Sequence, residues 1–240
     1  MLLRRYETGN FEAVWHEIRS HSPVEGSLRA EVLEVAIAAM RRVARNADLL
    51  ADRLRVRGWK PHLAELTGLR SKPSAQDEAV FSRIMEISGA PIPPTLLAFW
   101  NVVGGINFVW DYTSGDPPDL GVALPMDEMD PLCVDPPSTI TDQFDNWEDQ
   151  KRSCPEESLY IYLAPDYLAK ANVSGGPPYG IEVPFMGADP VFFSKNHALP
   201  FVDYLRLAFK WAGFPGLEDY GTRVDVRRFV QDFGRGLEPF

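Results

Sequence analysis

The residues able to do chemistry in this 240-residue chain are sparse and scattered. The four histidines, His16, His21, His62 and His197, include no pair four apart, and no HExxH occurs. The local spacings that bring two imidazoles onto one zinc are therefore missing. His16 and His21 stand five apart, which turns them to different faces of a helix. There is neither a GxSxG elbow for a nucleophilic serine nor a GxxxxGK[ST] phosphate loop. The nearest glycine-rich stretch, residues 172–179, holds Ser174, Gly175 and Gly176, whose backbone N–H groups suit an anion. Pro177 and Pro178 follow, remove donors and forbid a helix from starting as a phosphate loop does. A shaped turn entering a strand is the expectation there.

Carboxylates offer the second route to chemistry. Asp142, Asp145, Glu148 and Asp149 crowd into residues 142–150. Paired acids serve acid–base catalysis or bind Ca²⁺, but the glycine of an EF-hand loop is absent. The expectation is a solvated acidic loop or helix, with Phe144 and Trp147 either anchoring it to the body or facing a partner. An exposed Trp147 among acids would be a binding hot spot. Asp166 and Lys170, at i and i+4, read as a helical ion pair. No catalytic residue, metal site or cofactor is expected. An enzyme reading would need a polar cleft built from Asp166, Tyr167, Asn172 and Ser174.

Charge narrows the class of partner. The net charge is −10, and residues 111–160 hold thirteen acids against two bases, Lys151 and Arg152. Such a surface repels nucleic-acid phosphate and attracts basic proteins, unless it serves solubility alone. Direct nucleic-acid binding is not expected. Cys133 and Cys154 lie 21 apart, outside any CxxC pair, and read as free thiols. The start of the chain shows no secretory pattern, and no window has the length and apolarity of a membrane span, so the expected location is the cytoplasm.

Residues 27–57 carry apolar side chains at spacings of three and four and predict one long helix, with Ser27 as N-cap and Gly58 as stop. A shorter helix is expected within 3–20. Residues 60–73 read as a connector with a short strand or turn, and 76–87 as a helix broken by the proline run at 91–94. Pro93 and Pro94 suit the first turn of a helix over 95–103, which Gly104 and Gly105 end. Beyond Gly105 come short β-branched and aromatic runs, at 106–110, 120–124, 159–163, 179–183 and 190–193. Between 126 and 158 a loop or short helix is expected. A helix returns at 201–212, and the tail holds a short amphipathic segment at 224–233. Helices, then strands, then helices predict an α+β fold: N-terminal helices, a central mainly antiparallel sheet and a C-terminal helix packed on it. The helical segment 1–74 and the α+β region 75–240 are expected to form one continuous unit.

The stretch 92–107 resembles the motif of the SUKH superfamily, which includes yeast cell-wall regulators and many bacterial immunity proteins. In that pattern a proline-started helix bearing late aromatics runs through a Gly-Gly or Asn-Gly turn into the first sheet strand. Pro93, Phe99, Trp100, Gly104 and Gly105 take those places here. The phrase at 205–216 is similar to that of bacterial proteins near this superfamily. The resemblance implies a SUKH-like fold, structural roles for the five motif residues, and no catalytic residues. It also implies a protein partner, such as a basic nuclease toxin that an immunity protein neutralises. The acidic residues Asp142, Asp145, Glu148 and Asp149, with Trp147, are the expected contact surface. The competing expectations are the enzyme above and a structural homo-oligomer joined through the tryptophan-bearing helix near 211.

Overall fold

The computed structural model describes residues 1–63, 68–173 and 175–240. Two short helices, α1 (Leu2–Glu7) and α2 (Phe11–Arg19), replace the single leading helix, because Gly9 takes φ +95° between them. The long helix α3 runs Gly26–Val56 and buries the predicted stripe from Val32 through Met40 to Leu54. It starts one residue before Ser27, which makes no side-chain cap, and stops where Gly58 turns left-handed at φ +78°. Strand β1 (Arg70–Ser71) and helix α4 (Asp77–Ser88) follow.

The motif stretch folds as α5 (Pro94–Ala98), with Pro93 as N-cap, and then one π-helical turn, Phe99–Val103. The N–H of Gly104 closes that turn on the Phe99 carbonyl at 3.0 Å. The wide turn lets two consecutive aromatics both face inward. Phe99 meets Phe201 edge-on at 5.4 Å, and Trp100 stacks on Phe81 at 5.7 Å. The Trp100 indole N–H also donates to the Asp135 carbonyl at 3.1 Å. Gly104 has φ +85°, and an added Cβ would run into the Ser71 carbonyl oxygen. Only glycine therefore lets β1 approach strand β2 (Gly105–Asn107) at this corner.

The mixture of helices and antiparallel sheet makes this an α+β fold. The strands do not form one central sheet, however. Strand β3 (Cys133–Val134) completes a three-stranded sheet in the order β1-β2-β3. Strands β4 (Leu159–Ala164), β5 (Tyr179–Val183), β6 (Val191–Phe193) and β7 (Ala198–Pro200) form a separate antiparallel meander in sequence order. A backbone bond from the Asp135 N–H to the Leu163 carbonyl, 2.7 Å, ties the sheets together. The run at 120–124 is not a strand. Gly121 turns to φ +79°, and the Ala123 N–H goes to the Asp225 carboxylate at 3.2 Å instead of into a ladder. The run at 106–110 leaves its ladder after Asn107, whose side-chain carbonyl takes the Val109 N–H at 3.0 Å.

Short helices α6 (Met126–Met129) and α7 (Pro137–Ile140), and the longer α8 (Phe144–Ser153), fill the segment between β2 and β4. Helix α9 (Tyr167–Lys170) sits between β4 and β5. Helix α10 (Phe201–Lys210) lays its apolar face on the meander, where Tyr204 stacks on Phe192 of β6 at 4.1 Å. Helix α11 (Val224–Phe233) closes the fold. Contacts cross the division at residue 74: β1 pairs with β2, and Arg29 donates to the Ile92 carbonyl at 2.6 Å. Cys133 is buried, Cys154 is exposed, and both thiols are free. Among the described residues no helix is long and apolar enough to cross a membrane.

Candidate functional site

The period-2 alternation of β4 decides which side chains reach solvent. Leu159, Ile161 and Leu163 point into the core, while Tyr160 and Tyr162 point out. Register extends this outer face across the sheet: Tyr162 lies opposite Gly180, which lies opposite Phe193, and Tyr160 lies opposite Glu182. The solvent side of a sheet ordinarily carries polar residues. Here Tyr160, Tyr162 and Phe193 stay 39%, 40% and 40% exposed, so three large rings remain at the surface. The rings of Tyr160 and Tyr162 are 6.3 Å apart with planes within 14°, and Phe193 stands 6.2 Å from Tyr160. Gly180 adds no side chain between Tyr162 and Phe193, so the floor between those rings is backbone.

Two cavities of about 500 Å³ each flank these tyrosines and share both of them. Tyr167, Pro177, Pro178, Phe193 and Lys195 wall the first. Gln143, Gln150, Glu157 and Glu182 line the second. The tyrosine pair stands between them, so the first cavity is mainly aromatic and the second carries the two acids. Lys195 is held by Glu128 at 3.7 Å and lies 4.0 Å over the Tyr167 ring, so its charge is already partnered.

Helix α8 covers the free edge of β4. The Gln143 side chain donates to the Tyr162 carbonyl at 2.8 Å and accepts the Tyr162 N–H at 3.0 Å, imitating a neighbouring strand. The Trp147 indole N–H donates to the Tyr160 carbonyl at 3.0 Å, and the Gln150 amide donates to Ser158 at 3.2 Å. Spacings of four and three put these residues on one helix face. Uncovered, that edge would be a template for aggregation. This corrects the expectation that Trp147 faces a partner. It is 4% exposed because the helix needs its ring as an anchor and its N–H as an edge bond.

The acids on α8 divide accordingly. Asp142 and Asp145 are exposed. Asp149 is exposed and paired with Arg152 at 2.6 Å, while Glu148 is half-buried and paired with Arg83 of α4. Asp142, Asp145 and Asp149 therefore remain as an outward acidic stripe beside the second cavity, and Glu148 clamps α8 to α4.

The wall of the first cavity is fixed from beneath by a buried ion pair that spacing did not reveal. Lys170 does not pair with Asp166. Its ammonium is fully buried and meets Asp130 at 2.7 Å. Asp130 caps the end of α6 in a left-handed conformation. It also accepts from the Tyr179 hydroxyl at 3.3 Å, and that hydroxyl accepts the Tyr167 N–H at 3.2 Å. Lys170 lies 4.5 Å from the centre of the Tyr179 ring. Burial, and then the Asp130 charge, push the Tyr179 hydroxyl's pKa upward. Asp166 instead caps α9, accepting from the Leu168 N–H at 2.9 Å and the Ala169 N–H at 3.4 Å. Nearby, burial raises the Asp135 carboxyl to about 6, and burial followed by the Asp135 charge raises the Cys133 thiol.

Of the residues named for a catalytic cleft, Asp166 and Tyr167 both line the first cavity, Asp166 as a buried helix cap and Tyr167 under Lys195. Asn172 sits exposed in a left-handed turn, and Ser174 lies outside the described residues. Among the described residues no group of three His, Cys, Asp or Glu is placed to hold a metal. The tryptophan-bearing helix considered for self-association turns Phe201, Tyr204 and Phe209 into its own core, and Trp211 packs its ring edge against Gly221. The outward tyrosines are what the sequence reading missed. Their signal was the placing of Tyr, rather than Lys, Glu or Thr, at the outer positions of an otherwise clean alternation. No protein-family model, curated protein or solved structure matches the chain.

Proposed function

We propose that this chain is a non-catalytic protein-binding protein that receives a basic partner on the outer face of the β4–β7 meander and the adjoining acidic stripe of α8. One observation carries the reading: three exposed aromatic rings cluster on the outer face of a sheet, and Glu157 and Glu182 line the cavity beside the two tyrosines. Contiguous exposed aromatic surface marks an interaction site. Aromatic anchors dominate binding energy, while surrounding charge steers encounter and selects partners. The acids Asp142, Asp145 and Asp149 supply that charge for a positively charged partner.

A SUKH-like assignment and the role of a bacterial immunity protein are the finer part of this proposal. Their support is local: a proline-started helix at Pro93 and Pro94, buried Phe99 and Trp100, and a left-handed Gly104 leading into β2 at Gly105. A cytoplasmic location belongs to the same proposal and draws support from the two free thiols. The test is calorimetric titration with purified basic nuclease-toxin domains, alongside nuclease inhibition. The expected result is salt-sensitive binding to at least one domain, lost in Tyr162→Ser and slowed in the triple charge reversal of Asp142, Asp145 and Asp149. Binding indifferent to both variants would remove this face from the account.

A further inference from the structure

We infer that the basic partner presents an arginine to Glu182, with its guanidinium laid on the Tyr160 ring. This rests on the protein-binding role above and names the side chain that the sheet face receives.

One arrangement, a tyrosine ring beside a carboxylate, occurs three times in this part of the fold and is filled by the chain itself only twice. At Tyr179 the ring and the Asp130 carboxylate hold the Lys170 ammonium, 4.5 Å from the ring centre and 2.7 Å from Asp130. At Tyr167 the ring and the Glu128 carboxylate hold the Lys195 ammonium, at 4.0 Å and 3.7 Å. Each lysine is attracted by the ring face and by the carboxylate together. The third pair is Tyr160 and Glu182. Register sets them opposite each other on the outer face of β4 and β5, where Cβ atoms stand about 5 Å apart. Both side chains are exposed. Among the described residues no ion pair reaches Glu182, and no cation lies over the Tyr160 or Tyr162 ring.

The nearby bases are committed elsewhere. Arg152 pairs with Asp149 at 2.6 Å, and Lys151 donates to the Pro155 and Glu157 carbonyls, each at 3.2 Å. There is also room for a guest. Tyr160, Tyr162 and Glu182 all line the second cavity, of about 500 Å³, and Glu157 joins them. That cavity therefore has two carboxylates on its walls and no Lys or Arg.

Charge complementarity calls for a cation, and the chemistry favours arginine over lysine. A guanidinium is planar, so it lies flat on a ring while its edge donates two bonds to one carboxylate. It is also more weakly hydrated than an ammonium, which counts at an exposed site where water competes. A strand of partner backbone is not the occupant, because Gln143 and Trp147 already take the hydrogen-bonding groups of the β4 edge.

The test is heteronuclear NMR titration of the full chain with three blocked tripeptides: triarginine, trilysine and tricitrulline. Citrulline keeps the planar end of arginine without its charge. Triarginine is expected to shift the amides of Tyr160, Tyr162, Gly180 and Glu182 saturably, about threefold or more tighter than trilysine, with no saturation by tricitrulline. Glu182→Gln and Tyr160→Leu are each expected to weaken triarginine about two- to fivefold, the scale of one exposed ion pair or one exposed ring contact. Both substitutions fall at exposed positions, and unchanged core amide shifts check that each variant is folded. Charge reversal of Asp142, Asp145 and Asp149 is expected to weaken triarginine and trilysine alike and to leave the preference between them. Equal binding of triarginine and trilysine, saturation by tricitrulline, or indifference to Glu182→Gln overturns the inference. Titrating the variants with a basic nuclease-toxin domain separates the inference from the role it rests on. Binding lost in Tyr162→Ser but unchanged in Glu182→Gln and Tyr160→Leu keeps the face and removes the arginine. Binding unchanged in all three removes both.

Discussion

Replacing Lys170 by methionine removes the cation of the buried pair while keeping a side chain of similar length. In the native protein the ammonium is completely buried, and the Asp130 side chain is 6% exposed with 2.7 Å between N and O. The substitution leaves that carboxylate with the Tyr179 hydroxyl, at 3.3 Å, and no charge partner. Breaking a buried pair on one side costs about 3–5 kcal/mol, because the remaining charge stays desolvated. Total stability of a domain is only about 5–15 kcal/mol, so urea unfolding should register the loss as a large fall in midpoint. The double variant Lys170→Met with Asp130→Asn removes both charges and should recover most of the loss. A loss under about 1 kcal/mol, or a double variant no better than the single, would refute the structural role assigned to the pair.

Further outcomes follow from the same geometry. The Asp135 carboxyl is raised by burial from 3.8 to about 6, so its ionisation opposes folding as pH rises through that window. Asp135→Asn should therefore gain stability across about pH 4–6, up to an upper bound of about 3 kcal/mol at neutral pH and none below pH 4, measured by denaturant titration at both ends. Trp147→Phe keeps most of the anchor but orphans the Tyr160 carbonyl, and should cost about 1–3 kcal/mol in chemical unfolding. Gln143→Ala should leave the Tyr162 backbone groups unpaired and raise self-association, read by light scattering. Gly104→Ala forces a side chain into φ +85° against the Ser71 carbonyl, and should lower the melting temperature or prevent folding, seen by calorimetry.

Helices were readable because their information is local and repeated. The stripe from Val32 to Leu54 spans many turns, and the stop at Gly58 needs only its own φ. The turn at Gly104 and the aromatics at Phe99 and Trp100 were equally legible, since helix exit and burial follow from residue type. Strands fared worse where pairing depended on distant groups. Residues 120–124 have strand composition, yet Asp225, a hundred residues away, holds the Ala123 N–H. The split into two sheets depends on which edges α8 covers, and no spacing rule encodes that. Lys170 shows the same limit: i, i+4 spacing nominates Asp166, while the fold brings Asp130 within reach and leaves Asp166 to cap its own helix. For the site, acidity drew attention to α8, but its inner face is spent on the β4 edge. The exposed rings of Tyr160 and Tyr162 become recognisable as a surface only when Phe193 is placed beside them across Gly180.

The most direct measurement of the central claim is residue-resolved tyrosine footprinting of the protein with and without a bound basic partner. Mild iodination followed by mass spectrometry should label Tyr160 and Tyr162 in the free protein, where they are 39% and 40% exposed, and should spare the buried Tyr6 and Tyr204. The account predicts that partner binding protects Tyr160 and Tyr162 together. Unchanged labelling of both tyrosines in a saturated complex would contradict it.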